Sequence, residues 1–416
     1  MAATFARSLQ SSMYERNPAT SRRLAVRQQS QPRDRPAASS LFQRMPYSES
    51  VFDVSIDNSF DFLSSEYAVL FDNSVATAFQ HPLWLDSLYR HLASGGGIKP
   101  LVLVVRRRRG GQLALVLPLV RIRRGPLRTV EFADLRVSDY LAPICSESDF
   151  VEFVQDAAAC REVRRLLKPF DLFRVPKVRD GTVSLEKLLD APRRASMDTN
   201  SYAVELNENF DDWRAAALDR SYQKELAKKL RQLHRKGNVR FTCENVPDIV
   251  GTLEMMKQYR GPRFQDRGDG DLLQRPEYFA FYSDIALRGA GSFSRLYAMR
   301  MDDKVIAGVL GLCHKETFMV IMGGFDIESY KSQSLGALMF ERVAMDCIER
   351  KDRVLDFTIG DEPYKKLFGA QPSPMWAITR TGSAAGSIAG FALEQAPWLK
   401  MAARRMAGFR LLPARS

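Results

Sequence analysis

Two stretches of the chain, "LVLVVRRRRGGQLALVLPL" at 101–119 and "RLYAMRMDDKVIAGVLGL" at 295–312, carry one pattern twice. Ala114, Leu117 and Leu119 fall at the same spacing as Ala307, Leu310 and Leu312, and Arg106 matches Arg300 with one residue of difference in the turn. Apolar residues alternating at period two make each arm a strand, and Gly110 with Gly111 suits a tight turn that needs positive φ. A hairpin repeated with similar flanking elements points to a duplicated α/β unit. The length agrees, since 416 residues exceed one ordinary core and fill two domains.

Around the first hairpin, "VFDVSI" (51–56) reads as a strand and "HPLWLDSLYRHLAS" (81–94) as a helix. "RTVEFADL" continues the sheet, "SDFVEFVQDAAACREVRRLL" reads as one helix, and "DLFRVPKV" (171–178) closes the unit. A second series opens with strand "SYAVELN", helix "DDWRAAAL" and the long helix "SYQKELAKKLRQLHRKG". In that helix Tyr222, Leu226, Leu230 and Leu233 share one apolar face, and the lysines and arginines cover the rest. Those cations read first as a solvated face and second as a surface for an anionic ligand.

Composition narrows the function classes. With 45% hydrophobic and 26% charged residues the chain is globular, and no apolar run approaches the ~20 residues that cross a bilayer. The net charge of +12 is concentrated at the ends: residues 1–40 hold seven arginines against Glu15 and Asp34, and residues 381–416 hold five cations against Glu394. The body lacks a groove-reading signature, so nucleic acid is not an expected partner. Five scattered cysteines without a CxxC pair and four histidines without ligand spacing predict a reduced, cytoplasmic setting and no metal site. Residues 1–48 read as a disordered basic tail or a transit peptide.

The second series ends with the most chemistry. "ETFMVIMGGFD" (316–326) is a strand, "IESYKSQSLG" a loop, and "ALMFERVAMDCIERKD" a helix. A strand feeding a Ser/Gln/Gly loop into a helix start offers open amides and a positive dipole end to an anion, with Gly336 permitting close approach and Ser332 or Ser334 as caps. Neither a Walker lysine nor GxGxxG is present, which disfavours nucleoside triphosphates and dinucleotides. "VLDFTIGDEPYKKLFG" (354–369) then places Asp361, Glu362, Tyr364 and Lys365 where a strand opens into a helix.

This order resembles GNAT-superfamily acyltransferases. More narrowly, the chain resembles two-lobed GNAT-like proteins of the CelD/BcsL group, associated with bacterial cellulose and exopolysaccharide synthesis and distantly related to FemAB-type peptidyltransferases. The matching stretches are "HPLWLDSLYRHL", "LPLV", "SDYLAP" (138–143), "KKLRQLHRKG", "VIAGVLGL", "GGFD", "SLG" and, most specific, "LDFTIGDEPYK". The resemblance implies an α/β fold of two tandem GNAT-like lobes, 49–198 and 199–382, with mixed, mainly antiparallel sheets flanked by helices. It implies an acyltransferase that uses acetyl-CoA or another acyl-CoA, with Lys331, Ser332, Gln333, Ser334, Leu335, Gly336 and Ala337 as the cofactor-binding loop. That loop keeps only the last glycine of the superfamily's QxxGxG/A pattern, with Leu338 where a small residue would stand.

The resemblance makes Tyr364 the phenolic general acid for the departing thiolate, with Asp326 and Glu362 as candidate bases and Lys365 as a partner of either carboxylate or of an anionic substrate. Packing of Tyr364, and a helix-start preference for Asp361 and Glu362, are the competing readings. The acceptor is a small molecule or glycan precursor. The first lobe lacks a counterpart of the 331–337 loop and reads as an acceptor-binding or structural partner, with His81 as a helix-entry residue and Cys313 as a small buried one. A catalytically degenerate scaffold subunit is the alternative to an enzyme. The amphipathic segment 383–416 either docks on the second lobe or associates weakly with a membrane surface, and its few cations favour docking.

Overall fold

Each repeated hairpin folds as its alternation dictates. Gly110 and Gly111 take φ of 88° and 68° in the first turn, and Asp302 takes 54° in the two-residue second turn between the paired Met301 and Lys304. Each hairpin also carries a bulge, at Ala114 in one and Ile306 in the other, within one residue of the aligned position.

The computed structural model describes residues 49–93, 95–181, 185–190, 193–265 and 270–393. The tail at 1–48 and the part of the C-terminal segment after 393 lie outside these residues. The strands are β1 (Phe52–Ile56), β2 (Ile98–Arg107), β3 (Leu113–Arg124), β4 (Leu127–Phe132), β5 (Ile144–Cys145), β6 (Leu172–Arg179), β7 (Arg193–Glu205), β8 (Val239–Cys243), β9 (Ser294–Met301), β10 (Lys304–His314), β11 (Thr317–Phe325), β12 (Val354–Ile359) and β13 (Gln371–Thr381). They form a single sheet in the order β1-β2-β3-β4-β6-β13-β7-β12-β11-β10-β9-β8, with β5 beside β3.

Read inward from either edge, this order is the same motif: four antiparallel strands, a fifth parallel to the fourth, then an antiparallel sixth. Among the described strands, β4/β6 and β11/β12 alone pair in parallel. The sixth strands are exchanged across the chain, because β13 comes from the C-terminal end yet pairs with β6, while β7 precedes the second series and pairs with β12. β7 and β13 themselves pair antiparallel at the centre, from Gln371↔Ala203 to Thr379↔Arg193.

Alternation along the strands sorts the core into layers. On one face, helices Pro82–Leu92 and Pro276–Arg288 share a cluster to which both halves contribute, with the fully buried Trp84 ring edge-on to Phe281 at 4.9 Å. On the other face each half keeps its own cluster, around Phe153, Leu117 and Val175 in the first and around Phe318, Phe340 and Leu355 in the second.

Two elements differ from the sequence reading. The helix expected through 148–167 is two, Glu147–Gln155 and Ala157–Leu166, because the Asp156 carboxylate accepts from the Ala158 and Ala159 amides and starts a new helix. At the C-terminus, residues 384–393 are helical, but the glycine side of that stretch lies on the first half: an added Cβ at Gly386 would meet the Asp171 carbonyl, and one at Gly390 would meet Leu172. Ile388 and Phe391 stay 73% and 60% exposed, so the docking expected on the second lobe is not made by these residues. His81 is the helix-entry residue expected, its Nδ1 accepting from the Leu83 amide at 3.2 Å while its ring stacks on Phe293 at 3.8 Å. Burial, with His314 nearby, lowers its pKa to about 4.

Candidate active site

β11 and β12 pair through only three positions, Thr317↔Val354, Phe318↔Leu355 and Met319↔Asp356, and then part. The cause lies in β12. Thr358 takes φ +56°, a left-handed conformation that a β-branched residue adopts only under constraint, and the register with β7 shifts between Asp356 and Ile359. The Thr358 hydroxyl reaches across to the Val320 carbonyl at 3.1 Å. Beyond it the two strands no longer pair, and their ends part to leave a gap in the sheet.

On one face of the gap stands helix Leu335–Glu349. Tyr364 is half-buried there, stacked on Phe340 with ring centres 5.1 Å apart and planes 8° apart, and edge-on to Phe357 at 6.0 Å. Phe325, the last residue of β11, meets Phe340 edge-on at 6.2 Å. On the opposite face helix Val246–Gln265 crosses so closely that an added Cβ at Gly324 would lie 2.7 Å from the Met256 Cα. From this helix Arg260 donates to the Gly323 carbonyl at 2.9 Å and pairs with the buried Asp271.

The loop before helix Leu335–Glu349 has the features of an anion cradle. Ser334 occupies the N-cap position with φ 52°, but its side chain makes no cap bond, contrary to the expectation for this serine. Its carbonyl accepts from the Ala337 and Leu338 amides, which leaves the Leu335 and Gly336 amides without a backbone acceptor among the described residues. The Ser334 hydroxyl accepts instead from Lys229 Nζ at 2.5 Å, an ammonium delivered by helix Arg220–His234. Gln333 is buried with its Oε1 unpartnered, and Lys331 and Ser332 are exposed. Leu335 is a core residue, while Gly336 and Ala337 are half-buried; a Cβ on Gly336 would have the Phe325 ring as its nearest neighbour, at 3.5 Å. Lys229 is also paired with Glu225 at 2.6 Å, and two open amides at a helix start beside this ammonium suit a diphosphate.

The remaining candidates sit at the end of the gap and are already engaged. Asp326 is 5% exposed; its Oδ1 accepts from the Ser329 amide at 3.0 Å, and Lys304 lies 3.6 Å from its Oδ2. Lys365 is 2% exposed and donates to the Thr358 and Ile359 carbonyls at 3.2 and 3.0 Å, with Glu362 at 3.0 Å from its Nζ. It therefore holds the end of β12 in its bent course. Asp361 accepts from Asn200 and the Tyr202 hydroxyl; burial would raise its pKa, but these bonds and Lys365 hold it below the ordinary value.

The fold adds residues that pattern reading did not single out as a group. Asp356, 1% exposed, accepts from the Tyr140 hydroxyl at 2.8 Å and from the Thr358 amide at 2.7 Å, with Arg179 at 3.6 Å. Burial pushes its carboxyl above the ordinary range, against the pull of Arg179 and Tyr140. Asp139, half-buried, lies near Thr358 and is also raised by burial, against the pull of Lys177. The signal in the sequence was an aspartate inside an apolar alternation. Burial raises the Cys313 thiol to about 12, consistent with a small packing residue. Among the described residues no group of three His, Cys, Asp or Glu side chains is placed to hold a metal ion, and no helix is long and apolar enough to cross a membrane.

This gap, loop and helix lie within one stretch of known type. Residues 220–366 match the acetyltransferase (GNAT) domain family. No curated protein matches the sequence. Among solved structures, FemX superposes with a TM-score of 0.53 at 11% identity, over 78% of this chain and 96% of that one. The structure of L-PGS from Bacillus licheniformis gives 0.49 at 10% identity over 84% and 97%, and a tandem GNAT protein from the clavulanic acid biosynthesis pathway gives 0.44 at 12% over 80% and 99%. At 11% identity the likeness to FemX concerns the fold alone. The chain is an α/β protein with one large mixed sheet flanked by helices, and its residues 220–366 carry the match to the acetyltransferase (GNAT) domain.

Proposed function

We propose that the protein transfers an acyl group, acetyl in the simplest case, from an acyl-CoA to an amine or hydroxyl acceptor in envelope, exopolysaccharide or cellulose synthesis. The observation that carries the donor side is the parting of β11 and β12 beside a helix start that offers two open amides and Lys229. The acceptor class rests on the sequence resemblance alone, "LDFTIGDEPYK" above all. Two lobes, 49–198 and 199–382, remain the proposed division, with β7 and β13 as the join.

In this reading Leu335, Gly336 and Lys229 hold the diphosphate, and the gap receives the thioester, which supplies the activated acyl carbonyl. Tyr364 stands at the mouth and gives its phenolic proton to the leaving sulfur. Lys365 fixes the carbonyls of Thr358 and Ile359, so the gap keeps its width without the ammonium reaching the substrate. Asp326 and Glu362 remain proposed members of the site, the first through its turn and the second through its pairing with Lys365.

Isothermal titration with acetyl-CoA tests the donor site. Wild type binds, and Lys229→Glu, which reverses the charge at the loop, lowers the affinity at least tenfold, about 1.4 kcal/mol. A folded wild type with no measurable affinity for acetyl-CoA would leave the scaffold reading in its place.

A further inference from the structure

The two halves share a strand order, and their differences at matched positions assign a role to the first. Aligning Thr129↔Leu172 of β4/β6 with Thr317↔Val354 of β11/β12 sets Lys177 level with Ile359, one residue from Thr358. Lys177 and Thr358 both take left-handed φ, 59° and 56°, and in both strands the register with the antiparallel neighbour shifts at that point. Each half therefore has a parallel pair that parts at a strained residue.

The first of these gaps is filled by its own chain. Lys177 Nζ reaches Asp134 at 3.1 Å and the Ser138 carbonyl at 2.7 Å, and the Leu141 amide donates to the Lys177 carbonyl at 3.1 Å. The helix that follows, Glu147–Gln155, is closed at its start because the Ser146 hydroxyl accepts from the Asp149 amide. Its first turn carries Glu147 and Asp149, and among the described residues no lysine bonds to its cap as Lys229 does to Ser334.

The loop that would have formed it, residues 133–146, instead crosses to the second half. Tyr140 donates to Asp356 of β12 at 2.8 Å, which sets its chain neighbour Asp139 near Thr358 at the parting point. Residues on both sides of Asp139 are pinned: Trp84 Nε1 donates to Ser138 Oγ at 3.0 Å, and Gln80 Nε2 donates to the Tyr140 carbonyl at 2.9 Å. Asp356 lies on the face of the sheet shared by the halves, since Leu355 and Phe357 point into the opposite core. Of the carboxylates at the gap in the second half, Asp326 and Asp356 are buried and Glu362 pairs with Lys365, whereas Asp139 is half-buried.

We propose that the first half completes the acceptor side of the gap, and that Asp139 is the group that takes the acceptor's proton. The inference rests on the acyl-transfer reading above. As the acceptor nitrogen or oxygen forms its bond to the acyl carbonyl carbon, its proton passes to the Asp139 carboxylate. The carbon–sulfur bond breaks, and the sulfur takes a proton from Tyr364; solvent then restores both groups. Asp356 is a positioning residue that holds Tyr140 and Thr358 around Asp139. The charged or titratable groups facing Asp139 are Lys177 from β6, Asp356 from β12, Lys365 from helix Pro363–Leu367, Tyr282 from helix Pro276–Arg288 and, on its own loop, Tyr140.

The test uses the full chain, acetyl-CoA, and water or glucosamine as acceptor, with free CoA measured by chromatography. Asp139→Asn is expected to keep the calorimetric acetyl-CoA affinity within twofold, to lower turnover at least ~100-fold, and to erase the acid limb of the pH–rate profile. Asp139→Asn that retains wild-type turnover and its acid limb overturns the proposal, as does a wild type that binds acetyl-CoA but neither hydrolyses nor transfers it. Failure to bind acetyl-CoA strikes the donor reading instead. In that event urea unfolding at pH 4 and pH 8 decides on Asp139: Asn must stabilise the fold more at pH 8 than at pH 4, and an equal effect at both overturns its assignment as a raised, proton-accepting carboxyl.

Discussion

Tyr364 shows how much one side chain's surroundings decide. Its ring lies flat on Phe340 at 5.1 Å, so Tyr364→Phe keeps the stack and removes only the hydroxyl. If that hydroxyl protonates the leaving sulfur, turnover falls by about 10²–10⁴-fold while acetyl-CoA affinity stays unchanged; steady-state kinetics beside calorimetry separates the two. A second residue-scale prediction follows from Asp356. Its folded carboxyl is raised above the unfolded value of about 3.9, so the native state binds more protons and this group's contribution to stability falls as pH rises through the folded pKa. Asp356→Asn keeps an acceptor for Tyr140 and Thr358, and it should gain stability over wild type between pH 4 and pH 8. Paired urea midpoints read the sign directly. Of the residues expected at the site, Tyr364, Lys365, Glu362 and Asp361 were legible because they crowd one strand end. Asp139 and Lys229 were not legible as partners of that end, because each reaches it from a distant segment.

Among the elements, the helix crossings carry the geometry. Helix Val246–Gln265 passes over Gly324 with backbone within 2.9 Å of an added Cβ, so Gly324→Ala must push the helix and its Arg260 away from β11. The cost should be about 1–3 kcal/mol, seen as a lower urea midpoint. At the other end of the gap Gly336 has room for a Cβ against Phe325, so Gly336→Glu should fold normally. Its carboxylate would meet the bound diphosphate, and acetyl-CoA affinity should drop by at least tenfold, read by calorimetry. The helices themselves follow from their periodicity: Leu226 and Leu233 are buried as the apolar face of helix Arg220–His234 requires. The break at Asp156 did not follow, since an aspartate inside a helical pattern reveals its capping role only when the amides it serves are in place.

At the scale of the whole molecule, the exchange of β7 and β13 is the dominant fact. The first half without β13 has an open edge at β6 and loses the strand that contributes Ile378 to its core. A fragment of residues 49–198 should therefore lack cooperative unfolding by circular dichroism, whereas the chain ending at 393 should unfold cooperatively. The sequence by itself determined the duplicated unit, the hairpins, the strand–loop–helix at 317–349 and the crowded strand end at 354–365. These are local patterns, written in spacing, turn residues and alternation within a few turns or strands. Only the tertiary structure decided that the last strand completes the first half, that Lys229 meets Ser334, and that the loop around Asp139 lies on the gap of the other half. Those pairings join residues about 100 to 220 positions apart, and they depend on which edges and faces must be covered once all strands are present.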